Sequence, residues 1–237
     1  GGADPVKVYG ASNEVECTSC HNAHDPQFGK FLVKDNANAA ICTTCHAKVG
    51  WASAAHKTSV VSYTPPSTTT ATTVGEWACR NCHDMHTSSG TAGAPLNIYS
   101  YLLRGTEERT CFSCHGTDPG PLLTGAKNIQ ALLLKSSRHP AISKSGVHLN
   151  PERDGTNFTA TPDKRHAECQ DCHNPHRAQT GNRLSKATPN NLISNVLLGV
   201  WGVEPTYGGT AWTAPTGYTG AISSNTTNFY EYQLCFK

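Results

Sequence analysis

The chain has 237 residues, a formal net charge of +2, and only 37% hydrophobic, 8% aromatic and 15% charged residues. Low charge and eleven cysteines do not fit a disordered chain, and no clustered Lys and Arg are present to hold nucleic acid. The longest apolar run, Ala131-Leu132-Leu133-Leu134, falls far short of the roughly 20 residues of a membrane helix, so a soluble, non-transmembrane chain is expected.

Gly, Ser, Thr and Asn fill much of the remainder, so turns should outweigh helix and strand. The start, Gly-Gly-Ala-Asp-Pro, has no Met and no apolar stretch. It reads as a mature end left after signal removal or as an artefact, and export is the inference drawn. Short helices are expected at Ala37–Lys48, Asn97–Arg104, Lys127–Lys135 and Asn191–Leu198. Tyr63 to Thr73 is Pro/Thr-rich and reads as extended linker or plain solvated loop, with O-glycan attachment conceivable. Gly199 to Tyr230 reads as loop with at most a hairpin, and no segment is a strong strand.

Ten of the eleven cysteines form Cys-x-x-Cys pairs, each followed at once by His. They are Cys17/Cys20-His21, Cys42/Cys45-His46, Cys79/Cys82-His83, Cys111/Cys114-His115 and Cys169/Cys172-His173. With 12 His in 237 residues, five such coincidences have a chance on the order of 10⁻⁷ on composition alone. Zinc, dithiol redox and disulfide readings of Cys-x-x-Cys do not call for that His; covalent c-type haem attachment does. On a helical turn, residues i, i+3 and i+4 share a face. Two sulfurs can then bond two haem vinyl groups while the His reaches the iron. Five copies of haem c are expected. As large apolar bodies, they would supply the core that side chains do not.

The motifs repeat in pairs. A leading motif continues as Cys-His-x-x-His, ending at His24, His86 and His176. It is followed by a Leu-x-basic signature at Leu32-Val33-Lys34, Leu102-Leu103-Arg104 and Leu184-Ser185-Lys186. A trailing motif closes the first two units at Cys42 and Cys111, and Cys235 stands where a sixth would begin. A sixth haem is expected if the chain continues past Lys237; processing there, or a free thiol, is the other reading of Cys235. The units divide the chain into modules 1–60, 77–150 and 151–237, with 61–76 as linker.

A haem iron with one protein ligand can activate small molecules, whereas one with two mostly passes electrons. Beyond the five proximal histidines stand His24, His56, His86, His139, His148, His166 and His176. These seven are the distal candidates, with one or two expected to be spare. His24, His86 and His176 are too close to their own proximal ligands to reach the same iron's other face. Each is expected to ligate a neighbouring haem. Met85, between His83 and His86, is not expected to be a ligand. No catalytic residue is assigned.

The paired pattern resembles the doubled Cys-x-x-Cys-His multihaem c-type cytochromes of metal-reducing bacteria, a group with extracellular members that polymerise into conducting filaments. The resemblance covers Glu14–His56, Trp77–His139 and His166–Lys237. It implies a haem-organised fold of mostly coil and short α-helices with little or no sheet. It also implies bis-His ligation, haems stacked in alternating parallel and perpendicular pairs, and in filament-forming members a His donated across subunits. The expected partners are other copies of the chain in a head-to-tail polymer, other redox proteins and extracellular acceptors. The expected location is extracellular or cell-surface, with the periplasm as alternative. A soluble monomeric shuttle is the rival, and a nitrite- or hydroxylamine-type reductase, needing a five-coordinate haem, is a third reading.

Overall fold

The computed structural model describes residues 5–65, 68–86, 102–118, 120–139, 141, 168–181, 191–209, 211–222 and 229–236. Regular structure comes in short pieces, as expected. In chain order these are α1 (Cys17–Cys20), α2 (Ala40–Cys45), α3 (Ala55–Thr58), β1 (Ser62–Tyr63), β2 (Thr72–Thr73), α4 (Val74–Trp77), α5 (Glu107–His115), α6 (Ile129–Leu133), α7 (Cys169–Cys172), β3 (Trp201–Thr206), β4 (Gly217–Ile222) and α8 (Glu231–Cys235). No helix among the described residues is long and apolar enough to cross a membrane.

The one-turn helices are fixed at their N-termini, where an isolated turn would otherwise fray. The Glu16 N–H donates to Ser19 Oγ at 2.9 Å ahead of α1, and the Glu168 N–H donates to Asp171 Oδ2 at 2.7 Å ahead of α7. Thr106 Oγ1 accepts from the Arg109 N–H at 3.3 Å, and Glu107 and Glu108 occupy the first turn of α5, where negative charge suits the helix dipole. Of the expected helices, 37–48 narrows to a 3-10 turn at Ala37–Ala39 followed by α2, and 127–135 narrows to α6. That at 191–198 shrinks to a 3-10 turn at Asn195–Leu197. Most of the 97–104 helix lies outside the described residues.

Residues 61–76 fold back on themselves. β1 pairs with β2 antiparallel, Ser62 opposite Thr73, and Thr73 caps α4 in a reciprocal box with Glu76. The Gly75 N–H then donates to Ser59 O at 3.0 Å, which seats α4 on α3. The C-terminal hairpin is longer than the sequence suggests: β3 and β4 pair over six residues, from Trp201 opposite Ile222 to Thr206 opposite Gly217. Trp-Gly-Val-Glu-Pro-Thr has neither clean alternation nor freedom from Pro, so no strand signal is visible. Its stability comes from α8. A Cβ at Gly202 would stand 2.6 Å from Gln233 O and 2.7 Å from Phe229 Cζ, so only Gly admits the helix that close. Ile193, Leu198, Val200 and Phe229 form the buried cluster here. Around the first four motifs, by contrast, the buried hydrophobics are separate residues such as Val33, Ala39, Ile41, Ala54, Val74, Ala78 and Phe112.

A Cβ at Gly75 would lie 2.4 Å from Lys57 O and 2.8 Å from Ser59 O, both backbone atoms that cannot step aside. Gly75→Ala is therefore expected to cost about 1–3 kcal/mol of stability. Gly120→Ala, with nothing within 4 Å, should change it by less than about 0.5 kcal/mol; chemical denaturation followed by far-UV circular dichroism compares them.

Candidate haem-binding sites

Each motif sits on a helical turn. The His21, His46, His83 and His173 N–H groups donate to the carbonyls of Cys17, Cys42, Cys79 and Cys169 at 2.9–3.0 Å, and the fourth motif lies within α5. This i to i−4 bond brings both sulfurs and the imidazole to one side, as the spacing predicts. No two of the eleven cysteines are joined in a disulfide.

The histidines are aimed by the backbone. Nδ1 of His21 faces Lys30 O at 2.9 Å, and that of His173 faces Val196 O at 3.1 Å. Nδ1 of His115 faces Lys127 O at 3.3 Å, and that of His56 faces Pro175 O at 3.2 Å. A carbonyl oxygen only accepts, so each Nδ1 carries the proton and Nε2 keeps its lone pair free for a metal. A cavity of about 440 Å³ lined by Lys127, Ser194, Val196 and Glu231, among others, lies beside two of these carbonyls. Burial depresses the imidazoles of His115 and His176, and a nearby His83 adds to the effect at His176, which falls to about 4. Both therefore stay neutral, the form in which His ligates.

Three pairs of imidazoles face one another across segments distant in sequence. Ring centroids are 6.0 Å apart for His21 and His86, 6.1 Å for His83 and His176, and 6.3 Å for His56 and His115. Each pair joins one histidine that follows Cys-x-x-Cys to one that does not. Metal–nitrogen bonds of about 2 Å on opposite faces of one ion, with half a ring beyond each, set centroids roughly 6 Å apart. The interplanar angles are 38°, 11° and 67°. The separation holds at all three angles, as a shared central ion would require. The buried indole N–H of Trp51, edge-on to His176 at 6.1 Å, has no hydrogen-bond partner. The residues present fit haem.

The structure does not bring all the expected site residues into such pairs. Among the described residues, no second ring stands opposite His24, His46, His139 or His173. His24 and His139 are exposed, and His148 and His166 lie outside the described residues. The cysteines, however, form a succession. Cys20 lies beside Cys42 and Cys45, and the thiols of Cys42 and Cys79 meet. Cys82 lies near Cys114, and the thiols of Cys111 and Cys169 meet. The Cys42 thiol is pushed far up by its bond to Cys79, whose own value falls to about 7; burial pushes Cys82 up to about 11.

Over residues 10–50 the chain matches the family model for a doubled CXXCH motif. The match indicates a multihaem c-type cytochrome-like protein. No curated protein and no solved structure matches the chain. The motifs bind haem covalently, and the function they point to is electron transfer.

Two features escaped the sequence reading. In the leading motifs, Asn22, Asp84 and Asn174 each offer Oδ1 to the backbone N–H of the second His, at 3.0 Å in all three. The signal was there, since Asn and Asp are the residues that favour this turn most. The Leu-x-basic signature also aligns the units one residue out of step. His21 bridges Leu32 whereas His83 bridges Leu103, and the left-handed residues preceding them are Phe31 and Leu102. Arg104 is therefore equivalent to Val33, not Lys34.

Asn174 also donates Nδ2 to Gly199 O at 2.9 Å, so Asn174→Ala removes two hydrogen bonds. It should cost about 1–3 kcal/mol, and Asn174→Asp, which keeps the acceptor for His176, should lose less in the same denaturation assay.

Proposed function

We propose that this chain carries five c-type haems and passes electrons along them in sequence order, as the subunit of an extracellular head-to-tail filament. The observation that carries the reading is the set of imidazole pairs near 6 Å. A bound haem supplies one-electron exchange at its iron; the protein's part is to hold, orient and space it. Cys17/Cys20, Cys42/Cys45, Cys79/Cys82, Cys111/Cys114 and Cys169/Cys172 tether the five, with His21, His46, His83, His115 and His173 proximal. His86, His176 and His56 serve as distal ligands to the haems of His21, His83 and His115. His46 is left to His139, His148 or His166. Ligation from both sides leaves no open position on those irons, which favours transfer over substrate chemistry. Cysteines of successive motifs neighbour one another from the first to the fifth, which supports a line of hops.

The repeat supports the filament reading. His86, of the second unit, faces the leading proximal His21 of the first; His176, of the third, faces His83 of the second. Each leading haem thus takes its distal ligand from the next unit. By that rule His173 takes its distal ligand from a unit other than these three, and exposed His24 is placed to serve the leading haem of another unit. A second copy placed head to tail satisfies both, and such a contact repeats without closing. Export to the cell surface, with redox proteins and extracellular acceptors as partners, accords with c-type haem and the low surface charge.

Two measurements test this. The haem content of the purified protein should be five per chain. His56→Ala should convert one haem's share of the low-spin absorbance to high-spin while leaving haem content unchanged; an unaltered spectrum would sink the pairing. Negative-stain electron microscopy of the native protein should show filaments, and His24→Ala should leave dispersed particles with undiminished haem. Dispersed native particles would make the protein a monomeric shuttle instead.

A further inference from the structure

The three leading motifs share one turn but differ in its charge. Asn22, Asp84 and Asn174 occupy the same place and accept the same backbone N–H at 3.0 Å. Either residue type closes that turn, so the turn alone does not call for a carboxylate in the middle unit. There, Asp84 Oδ1 stands 3.9 Å from Nδ1 of His86, and Oδ2 stands 3.7 Å from Nη1 of Arg104. Arg104 is itself tied down, its Nε donating to Arg80 O at 3.0 Å. The Asp84 side chain is 22% exposed and that of His86 81% exposed, so the carboxylate is the end of the contact partly withheld from water. The partners that hold Nδ1 of His21, His56, His115 and His173 are neutral carbonyls. His86 differs from them in having a negative charge on that side of its ring.

We infer that Asp84 is a tuning and positioning residue that lowers the reduction potential of the haem held between His21 and His86, setting the N-terminal end of the chain apart from the haem of the following leading motif. The inference rests on the axial pairing proposed above. At 3.9 Å the carboxylate does not hydrogen-bond Nδ1, so it acts through its charge. A negative charge on the ligand's far side favours the ferric over the ferrous state. Arg104 opposes this only in part, because it reaches the oxygen directed away from His86. In the third unit Asn174 spends its Nδ2 on Gly199 O and brings no charge to His176. The haem between His83 and His176 is therefore expected to lie at higher potential than it would with Asp at that position.

Asp84→Asn isolates the effect, because Asn keeps the Oδ1 acceptor that both other units use. In a potentiometric titration followed at the haem absorbance, one step should move to higher potential. The other steps should stay, and every haem should remain low-spin. In a His86→Ala background, where one haem becomes high-spin, the same replacement should no longer move any low-spin step. If no step moves in Asp84→Asn while His86→Ala does produce one high-spin haem, the inference fails and the pairing stands. If His86→Ala leaves every haem low-spin, the pairing itself fails. If a low-spin step still shifts in the His86→Ala background, the charge acts through the neighbouring His83, and the inference is overturned.

Discussion

A pair of imidazoles held about 6 Å apart is the constraint on which the rest of this structure depends. Nothing local creates it. His86 is 65 positions from His21, and His176 is further still from His83, yet the three pairs stand at 6.0 to 6.3 Å. The elements that hold them are single turns and backbone carbonyls. α3 carries His56, its Nδ1 tied to Pro175 O, while the Ala55 N–H donates to Ala178 O at 2.7 Å and Gln179 Nε2 to Ser53 Oγ at 2.9 Å. Residues 50–58 thus dock on residues 174–179, and in doing so they aim His56 and His176 at two different proximal partners.

This explains why the chain needs so little conventional core. Among the described residues, the sizeable apolar cluster serves the C-terminal hairpin and α8, at Ile193, Leu198, Val200 and Phe229. Elsewhere the described buried hydrophobics, Val33, Ile41, Val74 and Phe112 with several alanines, gather into no cluster of that size, which leaves the core to large apolar cofactors. Left-handed residues that are not glycine, Phe31 and Leu102 among them, recur at the bridge beside a proximal His in two units. Such a conformation is disfavoured for a bulky side chain and persists only where its surroundings over-determine it. The strain recurs at equivalent positions because the bridge that steadies the histidine recurs there.

The chemistry was legible in the sequence and its connectivity was not. Cys-x-x-Cys-His points to covalent haem attachment, and to the proximal ligands proposed above, because that spacing is a property of one helical turn. The short helices over 37–48 and 127–135 were visible for the same reason of local periodicity, though only their central turns form. Which distal histidine meets which proximal one depends on how distant turns dock, and no local pattern encodes that. Asn22, Asp84 and Asn174 went unremarked because a turn-closing oxygen looks like an ordinary loop residue until the hydrogen bond is seen. The bridge register was misjudged by one position because side-chain similarity, Leu with Leu and Lys with Arg, was followed where the backbone aligns Leu32 with Leu103. The hairpin expected at most as a minor feature of Gly199 to Tyr230 pairs over six residues, because its support, the close approach of α8 over Gly202, lies outside the strands.

The most direct test of the account is a density map of the haem-loaded protein that locates every iron. The account predicts an iron between His21 and His86, another between His83 and His176 and another between His115 and His56, within an unbranched line that follows the motifs from Cys17 to Cys172. An iron in which any of these proximal histidines is opposed by a different residue, or a branched arrangement of the five, would contradict it.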